Sequence, residues 1–324
     1  MKLLFLYRYI AEYDFDNWLH MKYVEYIKQH RLVDVVAYGP SLHEAYKSVV
    51  PIPYNSELTM EDLHRDINFD VVICMTKSRM FHYYNPHTEI AKDCWLPKDF
   101  DTFKKTPKVV LEEDAHYEKN NNWYKEVGMN LIIQRHYNSF KRFEGQEGVP
   151  VVWLPFSVDV NTFKPNIHKE RINTVGFAGT CNHAYPERQY MTEFLRKNHL
   201  IEGFFRKEKI GSNYIDFLQS YAIILSGLSS YKITPAKMFE IMACGALLFT
   251  NDDGHLEKLF PKDSYLTYVS DSHYQMTNLI NNLKELLRNK SELDRKANKG
   301  LECIKTRHTH EIRTAELVSM LQKL

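Results

Sequence analysis

Short runs of β-branched and other apolar residues recur along the chain, separated by longer polar or amphipathic segments. Four such runs are KLLFLY (2–7), VDVVAYG (33–39), FDVVICM (69–75) and KVVLEED (108–114). Between the first two, NWLHMKYVEYIKQH (17–30) carries apolar residues at helical spacing. This alternation is typical of parallel sheets covered by helices on both faces, because parallel strands need long crossover connections. The pattern predicts an α/β fold.

The strand–helix pattern restarts in the second half of the chain. A polar stretch, NIHKERIN (166–173), follows Pro165, and TVGFAGT (174–180) then reads as a first strand entering a turn. A length of 324 residues fits two domains of ordinary size. We predict an N-terminal domain over 1–165 and a C-terminal domain over 166–306, with ligands beyond the carboxyl ends of the strands.

Other elements are predicted by local pattern. Lys77–Lys105 has little regular spacing and is expected to be surface loop. Two long helices are expected at the end of the chain, over Ser272–Arg288 and Lys290–Leu324, the second with a break near Gly300 or Thr306.

The composition bears on nucleic-acid binding, membrane insertion and redox compartment. Lys plus Arg number 42 and Asp plus Glu 41, a balance that gives no support to a strong, phosphate-driven grip on nucleic acid. No apolar run approaches the ~18 residues of a membrane span. Five scattered cysteines indicate reduced thiols and a cytoplasmic setting.

The segment YKITPAKMFEIMACGALLFTND (231–252) places one acid, Glu240, in an otherwise apolar helix. Thr234 is a suitable N-cap, Pro235 a suitable first residue and Gly245 a suitable residue after the end, so the helix is predicted over Pro235–Cys244. Its N-terminus and Lys237 would attract a diphosphate. Glu240 either accepts hydrogen bonds from a vicinal diol or forms a solvated pair with Lys237.

Several segments resemble group 1 glycosyltransferases with the GT-B fold. PAKMFEIMACGALLFTNDDGHLEKLF (235–260) resembles their donor-site segment, VVWLPFSVDVNTFKP (151–165) their interdomain segment, and TVGFAGTCNHAYPERQYMTEFL (174–195) the start of their donor domain. HTHEIRTAELVSML (308–321) and KVVLEEDAH (108–116) are similar to the spore-maturation-type (CgeB-like) branch. The motifs occur in the family's order from Lys108 to Leu324.

The resemblance implies two Rossmann-like domains with parallel sheets facing across a cleft. The N-terminal domain would bind the acceptor and the C-terminal domain a nucleotide-diphosphate sugar, with residues 307–324 forming a helix that packs back on the N-terminal domain. A UDP-sugar is the expected donor, and no further cofactor and no metal are expected. The implied donor-site residues are Gly179, Thr180, His183, Arg188, Ser230, Lys232, Thr234, Lys237 and Glu240.

Two departures from the family pattern concern substrate binding. Many relatives carry a second acid eight positions before the ribose-binding one, where this chain has Lys232. The glycine-rich loop after the first strand is also missing. On the acceptor side, Asp114 and His116 are candidate catalytic residues at the end of a strand, although Asp114 could equally cap the next segment.

The predicted activity is glycosyl transfer with retention of anomeric configuration. The acceptor could be a glycan, a protein, a small molecule or a modified nucleic-acid base, as for phage DNA-base glycosyltransferases. The alternatives are a nucleotide- or glycan-binding relic without turnover and a structural protein that keeps the fold.

Overall fold

The computed structural model describes residues 1–10, 14–42, 52–85, 90–113, 121–179, 181–205, 212–252, 254–269 and 273–324. The chain divides into two compact units. Unit 1 comprises Met1–Pro155 and Glu311–Leu324, and unit 2 comprises Phe156–His310. The part of the chain that the structure describes contains no candidate for a membrane-spanning helix.

Unit 1 is built on a six-stranded parallel sheet in the order β2-β1-β3-β6-β7-β8. Its strands are β1 (Lys2–Leu6), β2 (Asp34–Tyr38), β3 (Val71–Met75), β4 (Phe81–Asn85), β5 (Ile90–Cys94), β6 (Lys108–Glu112), β7 (Leu131–Gln134) and β8 (Val151–Trp153), of which β4 and β5 form a separate antiparallel pair. Its helices are α1 (Asp14–Gln29), α2 (Met60–Ile67), α3 (Asn122–Glu126) and α4 (Tyr137–Phe143), and α10 (His310–Leu321) contributes all but its first residue.

Every residue of β3 and β6 is buried, as expected for central parallel strands covered on both faces. One face of the sheet packs with α1 and with the C-terminal helix, from which Leu317, Val318 and Leu321 enter the core. The opposite face packs against α2 and a cluster of aromatic side chains.

The predicted surface loop over Lys77–Lys105 is wrong. This segment contains a 3₁₀ turn at Lys77–Arg79 and the β4–β5 hairpin. It also buries Trp95, Phe100 and Phe103 in the core of unit 1. The sequence did not predict this packing because the three aromatic residues lie on irregular backbone, where apolar residues have no regular spacing.

Unit 2 contains a five-stranded parallel sheet in the order β10-β9-β11-β12-β13. Its strands are β9 (Ile172–Ala178), β10 (Ile201–Phe205), β11 (Tyr221–Leu225), β12 (Leu247–Asn251) and β13 (Tyr265–Tyr268). Its helices are α5 (Pro186–Lys197), α6 (Ser212–Ser220), α7 (Lys237–Ala243), α8 (His273–Arg288) and α9 (Lys290–Arg307), and short 3₁₀ turns lie at Leu256–Lys258 and Lys262–Ser264.

The last helical stretch breaks at His308 and Thr309, between α9 and α10, which is close to the predicted break at Thr306 and not at Gly300. Gly300 is helical and buried against α7, where an added Cβ would lie 2.7 Å from the Met242 Cε atom and 3.3 Å from the Ser264 carbonyl oxygen. The glycine therefore allows close packing of two helices, a role that local sequence does not distinguish from a helix end.

Candidate functional site

Loops from three neighbouring strands meet at the carboxyl edge of the unit 2 sheet. Gly179 follows β9, residues 226–236 follow β11, and Asn251 ends β12. These strands are adjacent in the order β9-β11-β12, so the loops lie side by side. A backbone hydrogen bond of 2.8 Å from the Ser230 N–H to the Ala184 carbonyl joins the loop after β11 to the loop before α5. This edge is where open parallel sheets bind ligands.

Two cationic side chains border the backbone of Gly179. Its φ of +143° lies in a region that favours glycine. A Cβ added there would lie 2.7 Å from Arg188 Nη1 and 3.6 Å from Lys237 Nζ. The absence of a side chain thus leaves room beside a guanidinium and an ammonium group, and the surface between them suits an anion.

Arg188 is held in place by burial and by directed contacts. Its side chain lies on α5 and the residue is only 3% exposed. Its Nη2 donates to the Gly227 carbonyl oxygen, and the guanidinium carbon lies 3.7 Å from the centroid of the Tyr185 ring. Burial lowers the pKa of Arg188, but arginine stays charged in proteins. A fixed positive charge therefore lies behind the Gly179 turn.

Glu240 lies within unit 2 rather than on a solvated helix face. It is 6% exposed, and its Oε2 accepts a 2.5 Å hydrogen bond from the hydroxyl of Tyr214 on α6. Burial raises the pKa of Tyr214 well above its usual range, and the negative charge of Glu240 raises it further, so the phenol remains a donor. The solvated Lys237–Glu240 pair considered from the sequence is therefore wrong, because burial removes the water such a pair requires.

The donor-site helix begins later than predicted. α7 starts at Lys237, its N-cap is Ala236, and no side chain caps it, so Thr234 is not the N-cap. Tight i→i+3 bonds from Met238 to Pro235 and from Phe239 to Ala236 form a turn before the helix. With seven residues in α7, the positive charge at this edge comes from the Lys237 side chain more than from a helix terminus.

The end of α7 follows the prediction. Gly245 has a φ of +76°, and its N–H donates to the Met242 carbonyl. The next N–H, from Ala246, donates to the Ile241 carbonyl. These two bonds make a Schellman motif, which ends the helix and directs the chain into β12.

The remaining predicted residues occupy different surroundings. His183 and Ser230 are exposed in the two loops beside α5, and Thr234 is half-buried before α7. Lys232 is exposed and has a φ of +57°. Thr180 and the predicted catalytic pair Asp114 and His116 lie outside the described residues.

Sequence analysis missed three polar residues of this edge: Tyr214, Glu187 and Asn251. Asn251 is 3% exposed, accepts a 2.7 Å bond from the Leu228 N–H, and donates a 2.7 Å bond to Glu187 Oε2. The other carboxylate oxygen of Glu187 lies 3.4 Å from Lys232 Nζ. Asn251 was detectable as the polar residue that ends a buried strand, whereas Glu187 resembled an ordinary acid in the first turn of a helix.

A second polar cluster lies at the carboxyl edge of the unit 1 sheet, next to the segment that contains Asp114. His20 Nε2 donates to Glu113 Oε2 at 3.0 Å, and Tyr7 Oη lies 3.0 Å from His20 Nδ1. Arg135 Nε lies 3.7 Å from Glu113 Oε1. Burial alone raises the pKa of Glu113, but attraction to His20, Arg135 and His136 outweighs it and lowers the pKa to about 2.

Within the described ranges, no group of three or more His, Cys, Asp or Glu residues is arranged to hold a metal ion. The cysteine and histidine residues near the end of the chain contact protein groups instead. Cys303 Sγ and His308 Nε2 both donate to the Leu259 carbonyl, at 3.5 and 2.9 Å, and His310 Nδ1 lies 2.8 Å from Ser157 Oγ. All five cysteines are free thiols.

Residues 174–319 match the family model described as "Glycosyl transferase-like". The comparison with curated proteins gave no match. The matched segment contains the whole polar edge of unit 2, from the end of β9 to the end of β12.

Solved structures with the same fold cover the whole chain. Sucrose-phosphate synthase from Thermosynechococcus elongatus has a TM-score of 0.63 at 10% identity, covering 100% of this chain and 98% of that one. HepE from Anabaena, solved with UDP, has a TM-score of 0.59 at 13% identity and covers 100% of both chains. An α-glucosyltransferase solved with UDP-glucose and DNA containing an abasic site has a TM-score of 0.60 at 12% identity, covering 99% of both.

At these identities the solved structures establish the fold alone, which is GT-B. The match does not distinguish the spore-maturation-type branch from others. Residues 174–319 are therefore similar to the glycosyl transferase-like family, and the whole chain has the GT-B fold.

Proposed function

We propose that the protein transfers a sugar from a UDP-sugar to an acceptor, with retention of anomeric configuration and without a metal ion. The observation that carries this proposal is the convergence of Gly179, Arg188 and Lys237 at the carboxyl edge of the unit 2 sheet, with Glu240 one helical turn beyond Lys237. The UDP in the HepE structure and the UDP-glucose in the α-glucosyltransferase structure support the choice of nucleotide.

In this proposal the diphosphate lies against the Gly179 backbone. Lys237 contacts the diphosphate oxygens, and the buried Arg188 guanidinium adds positive charge from behind the Gly179 turn. Departure of UDP from the sugar leaves negative charge on the diphosphate, and cationic groups fixed in advance stabilise that charge at little cost in reorganisation. The two cations take the role that a divalent ion plays in metal-dependent transferases.

Glu240 is proposed to accept hydrogen bonds from the two ribose hydroxyls. A carboxylate offers two oxygens and about four acceptor positions, so one hydrogen bond from Tyr214 leaves capacity for a diol. The buried Tyr214 phenol then serves to orient the carboxylate. Thr234, Ser230, His183 and Thr180 are proposed to line the same donor site.

Unit 1 is proposed to bind the acceptor at the carboxyl edge of its sheet, and Asp114 and His116 remain the proposed catalytic residues there. The neighbouring Glu113 supports this placement, because its low pKa keeps a carboxylate charged beside the segment. The free cysteines are compatible with a reducing compartment, and we propose a cytoplasmic location.

Calorimetric titration with UDP, UMP, GDP and UDP-glucose tests the donor proposal. The wild type is expected to bind UDP more tightly than UMP or GDP, and Glu240→Ala is expected to weaken UDP binding at least tenfold, the effect of losing hydrogen bonds to a charged group. Glu193→Ala, on the exposed side of α5, is the control and should leave UDP affinity unchanged. Failure of the wild type to bind any nucleotide or nucleotide sugar contradicts the proposal.

Turnover is tested by slow hydrolysis of UDP-sugars and by following the anomeric proton of the released or transferred sugar by NMR. Retention predicts that the α-linkage of a UDP-α-sugar is preserved in the first-formed product. Asp114→Asn and His116→Ala are expected to lower the rate while leaving UDP affinity unchanged. Binding without turnover on any acceptor would favour a nucleotide-binding protein that has lost activity.

A further inference from the structure

Two lysine ammonium groups converge at the amino edge of the unit 1 sheet, opposite the carboxyl edge proposed for the acceptor. Lys108 is the first residue of β6, and Lys104 lies in the loop before that strand. A Cβ added to Gly128 would lie 2.6 Å from Lys104 Nζ and 3.0 Å from Lys108 Nζ. The two Nζ atoms are therefore at most 5.6 Å apart, the sum of these two distances. We refer to Lys104, Lys108 and Gly128 as the amino-edge lysine site.

Lys108 is held in place from inside the fold. The residue is only 1% exposed, and its Nζ donates to the carbonyl oxygens of Phe100 and Val127. The same nitrogen lies 4.6 Å from the centroid of the Phe100 ring. Burial, with a smaller effect from the charge on Lys104, lowers the pKa of Lys108 to about 8, so most of the ammonium is still charged at pH 7. The site therefore contains one fixed, buried cation.

Lys104 approaches the same point from the solvent side. It is exposed, and its Nζ donates to the Asp101 carbonyl at 2.9 Å. An ammonium group has three N–H bonds, so the two lysines have six, of which three donate to carbonyl oxygens. The other three have no hydrogen-bond acceptor among the residues that the structure describes, and neither lysine forms an ion pair there. Donors with unused capacity thus meet beside Gly128.

The acids that act on the buried ammonium, Asp99 and Asp101, are engaged by backbone groups. Asp99 accepts hydrogen bonds from the N–H groups of Met60 and Glu61 at the start of α2. Asp101 accepts one from the Thr102 N–H at 2.9 Å. These carboxylates attract the lysines at longer range but make no direct contact with either ammonium group.

A purely structural role is the competing explanation for these residues. The carbonyl oxygens and the aromatic ring account for Lys108 alone, and a φ of +73° accounts for Gly128 alone. Neither accounts for the second ammonium group, because like charges at this distance repel each other. Lys104 is exposed and has a long, flexible side chain that could extend into water. Its position beside Lys108 points to a negative charge that both lysines share.

We propose that the amino-edge lysine site binds a small inorganic oxyanion, with phosphate as the ligand. One oxygen at about 2.7–2.9 Å from each ammonium nitrogen spans the separation of the two Nζ atoms. The bound charge offsets the repulsion between Lys104 and Lys108 and stabilises the start of β6. The site belongs to unit 1 and lies at the opposite edge of the sheet from the proposed acceptor site, so it is independent of the proposed transfer reaction.

Calorimetric titration with inorganic phosphate at pH 7, at an ionic strength kept constant with sodium chloride, tests the site. Lys104→Gln removes the exposed charge and leaves the core intact, and Lys105→Gln is its control, because Lys105 is also exposed and bonds to Glu61 instead. Gly128→Ala displaces the Lys104 ammonium group. Gly145→Ala is the control for backbone strain, since Gly145 has a φ of +78° and no atom within 4 Å of its added Cβ.

Lys104→Gln and Gly128→Ala are expected to weaken phosphate binding about tenfold or more, while both controls stay within about twofold of wild type. Phosphate should also raise the urea midpoint of wild type more than that of Lys104→Gln. The proposal is overturned if wild type binds no phosphate at about 10 mM, or if Lys104→Gln binds it as tightly as wild type. Loss of phosphate binding in Lys237→Met but not in Lys104→Gln would place the ion at the proposed donor site and also overturn the proposal.

Discussion

The Tyr214 hydroxyl donates a 2.5 Å hydrogen bond to Glu240, and both residues are less than a tenth exposed. This contact links α6 to α7. Glu240 is therefore a buried, hydrogen-bonded acid and not a solvent-exposed one on a helix surface. It also ties the orientation of the proposed ribose-binding carboxylate to a helix whose sequence carries no signature of a nucleotide site.

Tyr214→Phe is expected to lower both stability and UDP affinity. Loss of a hydrogen bond to a buried charged acceptor costs about 1.5–3 kcal/mol of unfolding free energy, and a less restrained Glu240 should weaken UDP several-fold. Urea unfolding and calorimetric titration measure the two effects. Tyr190→Phe on the exposed face of α5 is the control, and an unchanged UDP affinity in Tyr214→Phe contradicts the positioning role.

Gly179→Ala tests the space beside the cationic pair. The added Cβ would lie 2.7 Å from Arg188 Nη1 and would also occupy a φ that disfavours it. We expect destabilisation of about 1–3 kcal/mol and at least a tenfold loss of UDP affinity. Gly254→Ala separates the effect of the steric clash from the effect of backbone strain. Gly254 also has a positive φ, +84°, but no atom lies within 4 Å of its added Cβ. UDP affinity should fall only in Gly179→Ala.

Lys237→Met tests whether Lys237 recognises the diphosphate. The variant keeps most of the apolar stem and loses the charge, so UDP should bind about tenfold more weakly while uridine is unaffected. The dependence of UDP affinity on salt concentration should become shallower as well. Lys197→Met, exposed at the end of α5, is the control. Equal losses of affinity for UDP and for uridine would show that Lys237 does not contact the diphosphate.

The ion pairs of Glu113 predict an acid-sensitive contribution to stability. Its pKa is about 2 in the folded protein against 4.5 for the unperturbed group, so the folded state favours the carboxylate. The contribution is complete above about pH 4.5 and is lost as the pH falls toward 2, with a full size of about 3 kcal/mol.

Urea unfolding of wild type and Glu113→Gln between pH 7 and pH 3 checks this contribution. The difference between the two proteins should be largest at pH 7 and should shrink below pH 4.5. Glu126→Gln on an exposed position of α3 provides the control for removal of a carboxylate. A difference that does not vary with pH would show that the loss comes from packing rather than charge.

The sequence by itself determined the α/β class and most of the elements. Runs such as VVICM and KVVLE predicted central strands because continuous apolar residues are required where a strand is covered on both faces. Gly245 predicted the end of α7 for a local reason: a positive φ is needed there and glycine adopts it readily. The resemblance to family motifs also predicted Glu240, Lys237, Gly179 and Arg188 as donor-site residues, and their role stays a prediction.

The tertiary structure decided what those residues contact. Glu240 is bonded to Tyr214, which is 26 residues away in the chain, and Glu187 contacts Lys232 and Asn251, which are 45 and 64 residues away. Sequence periodicity does not predict such contacts, because the distance along the chain between the partners depends on how α5, α6 and α7 pack on the sheet. The helix start differs from the prediction for a local reason: a tight turn at Pro235 and Ala236 precedes the first helical residue, Lys237.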